Sequence, residues 1–382
     1  MSKPRIHQLN ELSANRDSAG LVFLILAHNE ELVLQSCLKA LFAQLDDTDR
    51  VHIVADRCSD RTAQLAAKAG AEVFIRKEPA SAGKGAALQW WVERQALPED
   101  QAVIILDADS VVQSGFVAEV RSAFHNNWVQ ALQTHLHPVA AKPNPISAVI
   151  SLSEQLDQRV FDAARYLLGG SVRLRGTGMG VRYGLMKSVA PFIRTNVEDI
   201  ELTLLLAADN VRIHLLQNAV LDDPKPDDKT LATQQRARWF RGQLQVMKTN
   251  GRNILHILGR GPLGWSLINS LFAKPRSFFF PLQCSLLAIG SLWSRASEIT
   301  WLSLLLAGIL VFHSVGTLGA LAYSLRFERV PKSALLALRG LPGIFSLWAA
   351  GIYMASKPQK EWLRGRPVRI VQQSNESPQR TQ

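Results

Sequence analysis

The feature that most constrains the fold is a repeated one: an apolar run that ends in carboxylates and gives way to a helical stretch. Leu21–Ala27 (LVFLILA) ends in His28-Asn29-Glu30-Glu31, Arg50–Asp56 (RVHIVAD) ends in Asp56, and Ala102–Asp109 (AVIILDAD) ends in Asp107-Ala108-Asp109. Strands this continuously apolar suit a parallel sheet covered on both faces. Helices predicted at Glu31–Leu45 and Thr62–Ala69, with a short strand at Ala71–Arg76, complete the alternation. Such an order predicts an α/β fold with a mostly parallel sheet flanked by helices, whose ligands lie beyond the carboxyl ends of the strands.

Downstream, the pattern predicts a helix over Pro145–Leu168, a glycine-rich turn over Arg175–Tyr183, a helix opened by Val197-Glu198-Asp199-Ile200-Glu201, and two last strands at 211–216 and 219–223. The 382 residues exceed one compact domain, which holds on the order of 100 to 200 residues. The surplus is apolar. Neither Phe278–Trp293 nor Ile299–Leu325 carries a charge, and the second exceeds the roughly 20 residues that span a bilayer. Leu335–Ala355 is also apolar but is interrupted by Arg339 and Pro342, so it is expected to be interfacial or re-entrant. The expected plan is a polar tail (1–20), a catalytic domain (21–255), an interfacial segment (256–277), a membrane region (278–355) and a basic, then polar, tail (356–382). With a polar beginning, neither a cleaved signal peptide nor an amino-terminal anchor is expected, which puts the catalytic domain in the cytosol.

The net charge of +11 raises nucleic acid as a partner, but the basic residues flank the apolar block: Arg236, Arg238, Arg241, Lys248, Arg252 and Arg260 precede it, and Lys357, Lys360, Arg364, Arg366 and Arg369 follow it. Cations so placed suit anionic lipid headgroups, and no nucleic-acid-binding motif accompanies them. Three cysteines without metal spacing point to a reducing compartment and to no disulfide framework.

Several strings carry chemistry. Asp107 and Asp109, on one side of a strand end, offer hard oxygens to Mg²⁺ or Mn²⁺ on a diphosphate, although a strand ending in a solvated acidic turn would look the same. Asp56 can face a nucleoside or, like Asp60, cap the helix near Thr62. Lys84, in a Gly-Lys-Gly turn, supplies a mobile cation for phosphate. Glu198 and Asp199 either cap the apolar helix they precede or provide a general base, Asp199 being the candidate. In Gln234-Gln235-Arg236-Ala237-Arg238-Trp239, Gln235 and Arg238 can bind phosphate oxygens and Trp239 can stack on a sugar, the alternative being an interfacial helix with snorkelling arginines.

Taken together, Ala27-His28-Asn29-Glu30, Asp56, Gly83–Leu88, Asp107–Asp109, Gly176–Arg182, Glu198-Asp199 and Gln235–Trp239 resemble the membrane-bound family-two glycosyltransferases of the GT-A fold, a group that includes cellulose synthase, hyaluronan synthase and exopolysaccharide glycosyltransferases. The resemblance spans roughly residues 21–253. It implies a nucleotide-diphospho-sugar donor (UDP- or GDP-linked) contacted by Ala27, Asn29, Glu30, Asp56, Lys84 and Asp107. It implies a metal on Asp107 and Asp109, Asp199 with Glu198 as the catalytic pair, and diphosphate and acceptor sites shaped by Thr177, Gly178, Gln235, Arg236, Arg238 and Trp239. One base and no second carboxylate nucleophile imply inversion. With no span expected before the catalytic domain and few after it, the chain departs from the polymer-secreting synthases. A lipid-linked acceptor such as a polyprenyl diphosphate is expected instead, in exopolysaccharide or surface-glycan assembly at a bacterial inner membrane, alongside other polysaccharide-assembly proteins.

Overall fold

The computed structural model describes residues 20–77, 83–140, 144–195, 197–226 and 228–272, together with 308, 343, 346–347 and 349–355. One sheet organises the first part. Its strands are β1 (Val22–Ala27), β2 (Arg50–Asp56), β3 (Glu72–Arg76), β4 (Ala102–Leu106), β5 (Val111–Val112), β6 (Ala131–Val139), β7 (Met179–Arg182) and β8 (Ile213–Pro224), in the order β3-β2-β1-β4-β7-β6-β8-β5. From β3 to β4 the strands are parallel, β7 is antiparallel to both β4 and β6, β8 is parallel to β6, and β5 is antiparallel to β8. The sheet is therefore mixed, with its parallel half where the apolar runs predicted it.

Strand β1 shows why such runs must be continuous. Phe23 and Ile25 enter one core with Leu34, Cys37 and Leu41 of helix α1 (Leu34–Phe42) and Phe116 and Val120 of the later helix Phe116–His125. Val22, Leu24 and Leu26 enter a second core with Leu88 and Trp91 of the helix Lys84–Val92 and Met186 of the helix Tyr183–Val189. Alternate side chains point to opposite faces, and both faces are covered by helices.

In chain order the helices after α1 are α2 (Thr62–Lys68), α3 (Lys84–Val92), α4 (Phe116–His125), α5 (Pro145–Leu156), α6 (Ala163–Leu167), α7 (Tyr183–Val189), α8 (Glu198–Ala208), α9 (Lys229–Thr249), α10 (Gly251–Leu258) and α11 (Pro262–Phe272). Three sequence expectations are corrected. The strand expected at Ala102–Asp109 stops at Leu106, because the Asp107 amide donates to Thr177 Oγ1 (3.0 Å) rather than to a neighbouring strand and Ser110 turns back on the Asp107 carbonyl (3.1 Å). Strand alternation is thus not what orients Asp107 and Asp109. The helix expected over Pro145–Leu168 is interrupted by a π-helical turn, Asp157–Asp162, between α5 and α6. The strands expected at 211–216 and 219–223 form one strand, β8, whose pairing with β6 shifts register between Thr134 and His135.

Helices α8 to α11 form a third cluster: Val197, Ile200 and Leu204 pack with Val246, Ile257, Leu267 and Leu271. The segment expected to be interfacial, 256–277, is described as far as Phe272, and it contributes to this cluster while leaving Trp265 exposed. Among the described residues no helix is long and apolar enough to cross a membrane. Apart from residue 308, the two expected spans lie outside the described residues, as do residues 1–19 and the tail after 355. Of the third apolar stretch, residues 349–355 are helical, and Leu347 is buried with Val149 and Ala232.

Candidate active site

The loops after β1 and β2 are sewn together before any ligand is considered. Asn29, at φ 55°, accepts from the Ser59 amide (2.7 Å) through its side-chain oxygen. The Glu30 amide donates to Thr62 Oγ1 (2.8 Å), and Cys58 Sγ donates to the carbonyl of Ala27, the last residue of β1 (3.5 Å). Asp60 takes the capping role expected for it, accepting from the Thr62 amide (3.0 Å). Asp56 does not cap: its carboxylate is held by Arg76 Nη1 (2.7 Å) and by Arg57 Nε and Nη2 (both 3.0 Å). Asn29, Glu30 and Asp56 thus lie at one mouth of the sheet.

Beside them, β4 delivers Asp107 into contact with Lys84 at the start of α3, an ion pair in which Asp107 is only 7% exposed. Thr177 backs this pair: its hydroxyl accepts from the Asp107 amide and shares a hydrogen bond with Ser110 Oγ (2.9 Å), while its carbonyl accepts from Gln133 Nε2 (2.9 Å). Asp109 is half-buried close by. Both carboxylates act on one spot, the Cys37 thiol, whose pKa is raised first by burial and then by Asp109 and Asp107. Among the described residues no cluster of three or more metal-type ligands occurs. Two carboxylates still fit the need, since Mg²⁺ keeps several waters and binds through one or two carboxylates plus substrate phosphates.

Glu198 and Asp199 open α8 with their carboxylates at its first-turn amides, Asp199 accepting from Ile200 and Glu198 from its own amide, while Val197, the N-cap, makes no side-chain hydrogen bond. Glu201 serves the preceding turn instead, accepting from the amides of Arg194 and Thr195 (both 2.8 Å) and from Asn250 Nδ2 (2.8 Å). Residues 174–176 clasp Asp199: the Leu174 amide donates to Thr203 Oγ1 (2.9 Å), Thr203 Oγ1 donates to the Asp199 carbonyl (2.7 Å), and a Cβ on Gly176 would stand 3.9 Å from Asp199 Oδ2. Gly85 brings α3 against the same turn, where its Cβ would lie 3.5 Å from the Glu198 Cβ. Burial raises Glu198 to about 7, with Lys84 opposing and Asp199 adding. Burial also raises Asp199, opposed by Arg173, Lys84 and Arg238.

Helix α9 explains the Gln-x-x-Arg-Trp spacing. Gln235, Arg238 and Trp239 stand at i, i+3 and i+4, on one face with Gly242 and Val246. That face meets the start of α8, where a Cβ on Gly242 would lie 2.4 Å from Val197 Cγ1. Trp239 packs partly against the Val197–Ile200 cluster, and Gln235 is buried. Arg236 lies on a different face, where it donates to the Ala232 carbonyl (2.9 Å) and its Cβ is 3.2 Å from where a Gly351 Cβ would stand; burial lowers its pKa to about 10.

Sequence reasoning missed a buried charge cluster against Asp199: Glu154, Asp157 and Asp162 around Arg165, Arg173 and Arg175. The π turn lets carboxylates at these spacings reach the same arginines. An apolar helix carrying three acids, followed by three arginines within a dozen residues, was the available signal.

The model of "Glycosyl transferase family group 2" matches residues 102–315, and that of "Glycosyl transferase family 2" matches residues 22–170. The β-monoglucosyldiacylglycerol synthase of Trichormus variabilis is 29% identical over 254 residues, covering 64% of this chain and 52% of that protein. The probable glycosyltransferase YdaM of Bacillus subtilis is 24% identical, covering 59% and 55%. The chain thus spans about half the length of the curated relatives it matches. Among solved structures, a mannosyltransferase from Pyrobaculum calidifontis in complex with GDP-Man and Mn²⁺ is similar at a TM-score of 0.49 and 12% identity, covering 88% of this chain and 85% of that one. Glucosyl-3-phosphoglycerate synthase of Mycobacterium tuberculosis gives 0.40 and 18%, covering 58% and 77%.

Proposed function

Since the chain belongs to the group of family-two glycosyl transferases, we propose that this glycosyltransferase moves a sugar, with inversion, from a UDP- or GDP-sugar to a hydroxyl of a membrane-held lipid, on the cytosolic face of a bacterial inner membrane. The observation that carries this reading is the meeting of two neighbouring carboxyls, the buried Glu198 and the half-buried Asp199, with cations from three separate stretches of the chain: Lys84, Arg173 and Arg238. Asp199 takes the proton of the acceptor hydroxyl, whose oxygen attacks the anomeric carbon as the bond to the diphosphate breaks. Arg238 and Lys84 meet the charge that leaves with the nucleotide, and Gln235 orients it. A Mg²⁺ or Mn²⁺ held by Asp107 and Asp109 would supply charge neutralisation at the same diphosphate.

For the acceptor, the names of the β-monoglucosyldiacylglycerol synthases favour a diacylglycerol-type lipid. A polyprenyl diphosphate, with a role in exopolysaccharide or surface-glycan assembly, is the second reading, supported by the sequence resemblance and the basic residues around the apolar block. The purified protein, in vesicles holding either lipid, is offered labelled UDP- and GDP-sugars with Mn²⁺, and label is followed into the lipid phase. Asp199→Asn should lower transfer by about 10²- to 10⁴-fold while donor affinity changes little. Undiminished transfer by that variant would refute the assignment of the base.

A further inference from the structure

Two neighbouring carboxyls at the start of one helix cannot easily both be ionised, so something must decide which of them carries the charge. The surroundings of the pair are unequal. Glu198 faces α3 and β4, where Lys84 is already paired with Asp107. Asp199 faces residues 173–176 and α9, with Arg173, Lys84 and Arg238 as the cations around it. Of these, Arg173 has no evident employment elsewhere in the site.

Arg173 is 8% exposed, and its Nε is buried without a hydrogen-bond acceptor among the described residues. Its Nη2 stands 3.8 Å from Glu154 Oε1 and 4.0 Å from Asp157 Oδ2, near enough to be balanced but too far for hydrogen bonds. Its neighbour Arg175 takes the close contacts to Glu154 and Asp162, and Arg165 donates to Asp162 (2.7 Å). The cluster therefore pins the backbone on either side of Arg173 while leaving this one guanidinium loosely held. The same stretch of backbone clasps Asp199 through Thr203 and places Gly176 against its carboxylate.

We propose that Arg173 is a positioning residue that holds the negative charge of the Glu198–Asp199 pair on Asp199, keeping the base ionised, with Glu154 and Asp157 holding the arginine in place. This rests on Asp199 being the base. The charged groups facing Asp199 are Glu198 on its own helix, Arg173 before β7, Lys84 on α3 and Arg238 on α9. Removing the positive charge of Arg173 lets Asp199 keep its proton to higher pH, so the acidic limb of transfer moves up. Removing the negative charge of Asp157 leaves the field of Arg173 at Asp199 less opposed and moves the limb down. A merely structural role would lower activity at every pH and would not give shifts of opposite sign.

The test is the pH profile of kcat for sugar transfer with donor saturating, for the full chain in vesicles and for Arg173→Gln, Arg173→Lys, Asp157→Asn and Asp199→Asn. The expected result is a limb raised by about 1 to 3 pH units in Arg173→Gln, the range for a carboxylate that loses an adjacent cation. A limb near the wild-type position in Arg173→Lys and a lowered one in Asp157→Asn complete the expectation. If Arg173→Gln does not fold, Arg173→Met takes its place, with the same raised limb expected and a wild-type limb overturning the role. Limbs that stay at the wild-type pH in Arg173→Gln and Asp157→Asn, while Asp199→Asn is inactive, overturn the role of Arg173 and leave the base standing. Full activity of Asp199→Asn overturns the base itself and the inference with it.

Discussion

Gly178 tests whether a site-like glycine is held for chemistry or for space. The resemblance places it at the diphosphate and acceptor sites, yet the structure gives it two mechanical reasons to be glycine. Its φ is +64°, and a Cβ would stand 2.0 Å from Thr134 Oγ1 and 2.9 Å from Leu221 Cδ2, side-chain atoms of two fully buried residues on β6 and β8. Alanine there should cost about 1 to 2 kcal/mol for the left-handed backbone and about 1 to 3 kcal/mol more for overpacking. Gly70 isolates the first cost, since its φ is +95° and nothing lies within 4 Å of its would-be Cβ. In detergent or vesicles, thermal unfolding should show Gly70→Ala lowered by about 2 to 8 °C and Gly178→Ala by roughly twice that, at about 2 to 4 °C per kcal/mol for a domain of this size. Equal shifts in the two variants would refute the packing argument. A Gly178→Ala variant of normal stability but no activity would return the residue to the chemistry.

Chelation by EDTA should abolish transfer, and Asp109→Asn should do so too with secondary structure and membrane association intact by circular dichroism and flotation; undiminished turnover in EDTA would remove the metal from the reading. Because burial raises Glu198 to about 7 from its ordinary 4.5, its native form binds a proton that the unfolded chain has released, so the group's contribution is intact below about pH 4.5 and is lost as pH rises to 7. Glu198→Gln should accordingly unfold at a higher temperature than the wild type at pH 8, with the difference closing toward pH 4; a constant difference across that range would contradict the assignment.

How far the sequence shows this site depends on where each residue's partner lies. Strands β1 and β2 are legible because both faces are covered, so their composition alone names them, and the structure places them within a residue of the apolar runs. Strand β6 is not: Gln133, Thr134, His135 and His137 interrupt it, and Gln133 is polar because it serves the site, binding the Thr177 carbonyl and the Arg175 amide. Strand β7 hides inside a glycine-rich string for a related reason, since the chain there must pass close to Asp199 and Thr134. The Glu198-Asp199 and Gln235–Trp239 strings stand out as types, but their meaning depends on α9 lying across the first turn of α8, a contact between residues some forty positions apart that no local pattern encodes.

The same dependence bears on the apolar carboxyl-terminal third. Its described helix, 349–355, lies on α9: Arg241 Nη2 donates to the Met354 carbonyl (2.7 Å) and Nε to that of Ala355 (3.2 Å), while Gly351 lies against Arg236 and Ala237. Arg241 thereby donates to two carbonyls of this helix. From sequence alone this stretch is expected to be interfacial or re-entrant, and the Gln-x-x-Arg-Trp string to bind phosphate or to form an interfacial helix. In the fold they are opposite faces of one contact, because α9 presents Gln235 and Arg238 toward α8 on one side and Arg236 and Arg241 toward 349–355 on the others. Any force that moves the helix 349–355 therefore acts on the helix carrying Gln235 and Arg238, a coupling that arises from packing rather than from either motif.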